Sequence, residues 1–141
     1  MSCSGEDAAV EATLFADGGS RGNPGRAASA AVLIAEDGAV LREIGQYLGI
    51  ATNNVAEWTA LLDGLSAAKE LGIDRLAVRL DSELVVRQLN GQYRVKHENL
   101  RPLYAKAKAL LSQFKDVDVR HVRRHENKLA DALVNRILDK Q

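Results

Sequence analysis

The chain has 141 residues, 46% of them apolar and 27% charged, a length and balance suited to one soluble globular domain whose core closes without staples. No apolar run approaches the roughly 20 residues a membrane helix needs. Residues 1–11 lack the basic-then-apolar order of a secretory signal, and the single Cys3 can form no internal disulfide, so the expected setting is a reducing cytoplasm. The formal net charge is zero, yet residues 1–86 carry 6 Lys/Arg against 13 Asp/Glu and residues 87–141 carry 13 against 6. That asymmetry suits two solvated faces, and equally an acidic metal-binding site flanked by a surface for a polyanion.

Residues 1–12 are expected to form a flexible N-terminal extension and residues 13–141 the folded domain. Thr13 to Asp17 reads as a strand ending on an acid, followed at once by the turn-forming run Gly18-Gly19-Ser20-Arg21-Gly22-Asn23-Pro24-Gly25. The glycine spacing is neither that of a Walker loop nor that of dinucleotide binding. A solvated hairpin tip and a surface for a bound polyanion both remain open at this point. Ala28 to Ala35 and Val40 to Leu48 read as two more strands joined by an Asp37-Gly38 hairpin turn.

Thr52-Asn53-Asn54 marks a helix start, with Asn54 and Glu57 spaced as a capping box. Trp58, Leu61, Leu62, Leu65 and Ala68 follow at helical spacing, and Leu71-Gly72 closes the helix. Leu76, Val78 and Leu80 alternate as a fourth strand that ends at Asp81. Ser82 is suited to cap a short helix through Leu89, broken at Gly91. Leu100 to Phe114 carries an amphipathic pattern, Val117 to Val122 is a fifth strand, and Lys128 to Asp139 a last helix. Strands first and then helix–strand–helix alternation indicate an α/β domain with a mixed sheet.

Four acids occupy special places. Asp17 and Asp81 end apolar strands, while Glu57 and Asp131 fall in the first turn or so of helices. If the two strands are parallel neighbours, their carboxylates meet at the sheet end where ligands bind in such folds. First-turn acids are also favoured by the helix dipole alone, worth about 0.3–1 kcal/mol each. Gathered together, four acids repel one another and raise one another's pKa. Divalent cations neutralise such a set, and an all-carboxylate set favours Mg²⁺ or Mn²⁺. Two such ions about 4 Å apart suit phosphodiester hydrolysis.

The motifs Asp17 to Gly25, Thr52-Asn53-Asn54-Val55-Ala56-Glu57, Asp81-Ser82 and Asn127-Lys128-Leu129-Ala130-Asp131 together resemble type 1 ribonuclease H, in order and spacing, over about residues 13–139. The resemblance implies a five-stranded mixed sheet, its first three strands antiparallel, with helices on both faces. It implies an endoribonuclease that cleaves the RNA strand of an RNA–DNA hybrid, leaving 5′-phosphate and 3′-hydroxyl ends, with two Mg²⁺ or Mn²⁺ ions when substrate is bound.

By the same resemblance Asp17, Glu57, Asp81 and Asp131 are the metal-binding catalytic acids. His125, in the loop before the last helix, is the auxiliary residue for proton transfer and product release, with Arg124 sharing the task electrostatically. Gly18, Gly19, Ser20, Asn23, Thr52, Asn53, Asn54, Ser82 and Arg124 fall where the family contacts nucleic acid. An amide such as that of Asn53 or Asn54 donates and accepts, as recognition of a 2′-hydroxyl requires.

The basic, Trp-rich protrusion of some members is absent. Gly91 to His97 runs almost directly into the next helix, with Arg94, Lys96, His97 and Arg101 as a modest substitute. The expected partner is an RNA–DNA hybrid, with double-stranded RNA a further candidate, and the expected state a monomer without membrane contact. The competing readings are a non-catalytic module that binds hybrid or double-stranded RNA, and one domain of a larger multifunctional protein.

Overall fold

The structure, a computed structural model, describes residues 11–141. Strand β1 (Glu11–Arg21) alternates, so Ala12, Leu14 and Ala16 enter one core and Phe15 packs against another on the opposite face. Around it lie β2 (Gly25–Ala35), β3 (Val40–Ala51), β4 (Arg75–Leu80) and β5 (Asp116–His121), in the sheet order β3-β2-β1-β4-β5. The β1–β2 and β2–β3 pairs are antiparallel, and the β1–β4 and β4–β5 pairs parallel. This is the expected mixed sheet. The Asp-Gly turn is also in place: Gly38 takes a φ of 91°, and Asp37 Oδ1 accepts from the Ala39 N–H at 2.9 Å.

The expected N-terminal extension, with Cys3, lies outside the described residues except for Glu11 and Ala12, which belong to β1. Asp17 does not end its strand. The chain stays extended to Arg21 because Gly18 to Arg21 keep their antiparallel partners Ser29 to Arg26 in β2. What does stop near Asp17 is the parallel pairing with β4, whose last pair is Ala16 with Leu80. The reversal falls later, at Gly22, where a φ of 101° calls for glycine.

Helix α1 (Asn53–Glu70) buries Trp58, Leu61 and Leu65 against one face of the sheet. Its N-cap is Thr52, whose side chain accepts from the Val55 N–H at 3.2 Å, so the expected Asn54–Glu57 capping box is displaced by two residues. Helices α2 (Glu83–Leu89), capped by Ser82, and α3 (Arg101–Leu111) complete that face. Phe114 packs in the same core from the turn after α3 rather than from the helix. Among the described residues, helix α4 (Lys128–Asp139) alone covers the other face, setting Ala130, Val134 and Leu138 on Ala28, Ala30 and Val32 of β2. Residues 90–100 contain no helix and lead directly from α2 to α3, as expected for a chain without the protrusion. No helix among the described residues is long and apolar enough to cross a membrane.

Among the described residues Trp58 is the largest fully buried side chain; it meets Tyr104 edge-on at 5.9 Å, and its Nε1–H has no hydrogen-bond partner there. Trp58→Ala is expected to cost about 3–5 kcal/mol, read by chemical denaturation. Trp58→Phe is expected to cost less than half of that, because no indole hydrogen bond is lost.

Candidate active site

The end of the β1–β4 pairing positions the first two acids. Asp17 follows Ala16 within β1, and Asp81 follows Leu80 at the end of β4. Asp17 is only 4% exposed. Burial, followed by the nearby charges of Asp81 and Asp131, pushes its carboxyl up to about 8; the Arg124 charge works against this, and a hydrogen bond with Asp131 adds to it. One carboxylate oxygen of Asp81, Oδ2, is buried without a hydrogen-bond partner among the described residues.

Glu57 arrives from α1, one turn further into the helix than expected; the helix has no acid in its first turn. Its place is set by contact between backbones. A Cβ on Gly18 would stand 2.2 Å from the Ala56 carbonyl carbon and 2.4 Å from the Glu57 nitrogen, so α1 can approach β1 this closely only at a glycine. Burial raises the Glu57 carboxyl to about 7, with a hydrogen bond from Ser82 opposing the rise, Asp81 adding to it and Arg124 again opposing it. Ser82 also accepts from the Val85 N–H at 3.3 Å, so one hydroxyl serves the α2 cap and Glu57 together.

Asp131 stands in the first turn of α4. Arg124 Nη1 donates to its Oδ1 at 3.1 Å, and Asn135 Nδ2 donates to its backbone oxygen at 3.1 Å and approaches Oδ2 at 3.5 Å. The loop before α4 is a short 3₁₀ turn, Arg124–Glu126. It directs Arg124 into the carboxylate groove, whereas His125 lines a separate depression with Phe15, Ile34 and Leu129. His121 is exposed at the end of β5.

Two polar residues here carry no assigned role in the sequence reading. Asn127 is buried and donates through Nδ2 to the Ala16 carbonyl at 3.0 Å, tying the start of α4 to the residue before Asp17. Although it occupies the N-cap position, its side chain makes no capping bond. Asn135 lies four residues after Asp131, a helical spacing that places both on one face.

Asp17, Glu57 and Asp131 line one open groove of about 340 Å³, together with Gly18, Gly19, Ser20, Asn53, Arg124 and Asn135. Asp81 and Ser82 flank Glu57 in a small adjoining crevice. The glycine-rich hairpin is clamped to α1 by amides: Asn53 Oδ1 accepts from the Ser20 N–H at 2.8 Å, and Asn23 Oδ1 accepts from the Asn53 N–H at 3.1 Å. Asn23, Thr52, Asn53 and Asn54 line a second polar depression with His97 and Asn99. The sequence-derived candidates thus fall into two neighbouring grooves around the N-terminus of α1, with Asp81 and Ser82 in the adjoining crevice beside Glu57 and His125 apart.

The four acids offer only carboxylate oxygens, the donor set of a hard divalent cation. The Asp81 oxygen without a partner among the described residues, and the Asp17 carboxyl raised by burial and by its acidic neighbours, mark a site that a counter-ion would relieve. Among the described residues no three His, Cys, Asp or Glu side chains are already gathered as an ion-binding set. The acids instead interact pairwise, Asp17 with Asp81 and Asp131, and Glu57 with Asp81. The chemistry of the set fits a hard divalent cation.

The profile of the reverse-transcriptase-like family matches residues 15–137. The bifunctional protein Rv2228c of Mycobacterium tuberculosis is 47% identical over 131 residues, 92% of this chain and 36% of that protein. The structure of its N-terminal RNase H domain, a fusion with maltose-binding protein, superposes with a TM-score of 0.90, covering 94% of this chain and 96% of that one. Ribonuclease HI of Halobacterium salinarum is 45% identical over 89% of this chain and 63% of its own length. The crystal structure of RNase H1 from that archaeon has a TM-score of 0.88 at 43% identity, covering 93% of this chain and 99% of that one. LC11-RNase H1, solved in complex with an RNA/DNA hybrid, is 38% identical with a TM-score of 0.85, covering 92% and 97%. The chain therefore spans about a third to two thirds of the length of these curated relatives.

A carboxyl whose native pKa lies above its unfolded value keeps a proton that the unfolded chain releases, so stability falls as pH rises from about 4 towards 8. In EDTA the melting temperature is therefore expected to fall between pH 5.5 and 9, through the raised values of Asp17 and Glu57. Asp17→Asn should flatten that slope and raise Tm at pH 8 by about 5 °C, roughly 1–2 kcal/mol, measured by calorimetry. Gly18→Ala is expected to cost about 1–3 kcal/mol in denaturant unfolding. Gly19→Ala, whose Cβ would meet Val134 Cγ1 at 3.6 Å, should cost much less.

Proposed function

The chain belongs to the reverse-transcriptase-like family that includes the type 1 ribonucleases H, and on that premise we propose that it is an endoribonuclease acting on the RNA strand of RNA–DNA hybrids. The observation that carries this reading is the convergence of Asp17, Glu57, Asp81 and Asp131, from two strands and two helices, on one sheet end. Buried acids in such proximity cost stability, and a phosphodiester hydrolase has a use for them as ligands of two Mg²⁺ or Mn²⁺ ions. Those ions supply activation of water and neutralisation of the developing charge on the phosphate.

The protein's own part is to hold the carboxylates and to bring a scissile phosphate to them. Asp17 offers a fixed, buried oxygen pair on a strand, and Asp81 an oxygen with no competing protein donor. Gly18 brings α1 and Glu57 against β1, and Gly18 and Gly19 line the groove beside Asp17 with backbone alone. Ser20, Asn23, Thr52, Asn53, Asn54 and Ser82 provide polar contacts along the strands of the hybrid, and Arg124 a positive charge at the cleavage end of the groove. The amides suit the 2′-hydroxyl, whose donor–acceptor character distinguishes RNA from DNA. In this reading Arg124, which touches Asp131, takes the electrostatic role expected of the loop before α4, and His125 is its auxiliary. The lone Cys3 fits a reducing cytoplasm.

Cleavage of an end-labelled hybrid with Mg²⁺, with Mn²⁺ and in EDTA tests the reading. Internal RNA cuts with either ion, 5′-phosphate and 3′-hydroxyl product ends and none in EDTA are expected. Asp17→Asn and Asp81→Asn should each lose at least about a hundredfold in rate. The rate should rise between about pH 6 and 9, as the cations take the place of protons on Asp17 and Glu57. Absence of cleavage with both ions, or full activity of Asp81→Asn, would overturn it.

A further inference from the structure

Asp131 is the most heavily engaged of the four acids. Arg124 Nη1 stands 3.1 Å from its Oδ1, and Asn135 donates to its backbone oxygen at 3.1 Å and reaches its other carboxylate oxygen at 3.5 Å. The two sides of the ion pair differ in freedom. The Asp131 side chain is 29% exposed on a helix, whereas the Arg124 side chain is 74% exposed. The backbone beneath Arg124 is fixed, since Glu126 Oε1 accepts from the Arg123 N–H at 2.9 Å and closes the 3₁₀ turn. Arg124 is therefore a long, solvated side chain on a rigid mount, anchored at its far end by one contact to one carboxylate oxygen.

Its guanidinium lines the same groove as Asp17 and Glu57. The other cationic side chain lining the groove, Arg21, is turned outward and paired with Asp139 at 2.7 Å. Arg124 thus stands as the counter-charge of the acid cluster among the described residues, and it occupies an oxygen through which Asp131 would bind a cation.

We propose that Arg124 is a displaceable counter-cation of the carboxylate site: it holds Asp131 by the ion pair, and a divalent cation binding through Asp131 must displace it. The proposal rests on the reading of the acids as a cation site. It makes the cation affinity of this site a competition between an internal and an external charge. A purely supporting role for Arg124, holding Asp131 in the geometry a cation needs, gives the opposite sign when the arginine is removed.

The test is Mn²⁺ binding to the metal-stripped full chain, followed by calorimetric titration and by the electron paramagnetic resonance signal of free Mn²⁺. Arg124→Ala is expected to bind Mn²⁺ about thirtyfold more tightly at low salt, the factor that one unit charge about 4 Å from a divalent ion gives in a water-like dielectric. The gap should narrow as salt screens the arginine. Arg124→Lys should bind as wild type does, and the gain from Arg124→Ala should vanish in an Asp131→Asn background. The rise in melting temperature on adding Mn²⁺ should be larger for Arg124→Ala than for wild type. Equal or weaker Mn²⁺ binding by Arg124→Ala, with wild-type binding intact, overturns the proposal alone. Failure of both proteins to take up Mn²⁺ overturns the cation-site reading and the proposal with it.

Discussion

The structure depends on where β4 stops pairing with β1. Up to Ala16 and Leu80 the two strands run parallel in register, with Ala12, Leu14 and Ala16 set beside Leu76, Val78 and Leu80 in one core. One residue further each chain presents a carboxylate. Asp17 does not leave the sheet at that point, because its other neighbour, Ala30 of β2, still pairs with it. Its backbone is fixed by an antiparallel ladder while its carboxyl stands at the open end of a parallel one. A slip of one residue would turn Asp17 to the opposite face and take Leu14 and Ala16 out of the core, so the burial pattern enforces the position of the acid.

Much of this was legible in the sequence, and the exceptions share a physical cause. The sheet, the extent of α4, the capping of α2 by Ser82 and the placing of Asp81 all follow from local periodicity and capping chemistry. Gly18 and Gly19 suggest a turn by composition, yet they remain in β1. Gly18 is required by the approach of α1, a contact between segments about forty residues apart that no local pattern announces. Thr52, Asn53 and Asn54 are all competent caps. Thr52 takes the cap while Asn53 is held by Ser20 and Asn23, so a tertiary clamp decides among three locally acceptable choices. Arg124 and His125 are adjacent in sequence, and only the 3₁₀ turn determines which of them enters the groove. Asn127 sits at the N-cap position of α4, yet its side chain donates to the Ala16 carbonyl, a partner 111 residues away that no local pattern announces.

That bond shows how the domain combines stability with a repulsive site. Asp17 and Glu57 are held where burial disfavours their charged forms, a push that Arg124, and for Glu57 also Ser82, opposes only in part. The surroundings resist the resulting push apart. Gly18 brings α1 against β1 by backbone contact, Ser82 joins Glu57 to the cap of α2, and Asn127 joins the start of α4 to β1. Each tie is made within two residues of an acid, so electrostatic strain is opposed where it arises.

The ties are not equal, and their inequality divides the site. Asp17, Glu57 and Asp81 stand on β1, on α1 and after β4, elements that share the larger core around Leu14, Trp58, Leu61 and Val78. Asp131 stands on α4, which rests on the other face over a small core of alanines, Val32, Val134 and Leu138. Three acids are therefore fixed relative to one another by a single packed interior, and the fourth is fixed to them by a thinner layer and by Asn127. It is at this fourth acid that the polar partners accumulate, Arg124 from the preceding turn and Asn135 from the next turn of its own helix. A carboxylate that the core holds firmly needs no such partners. One that the core holds loosely is steered by side chains that can exchange their contacts, and this makes Asp131 the part of the site most open to adjustment.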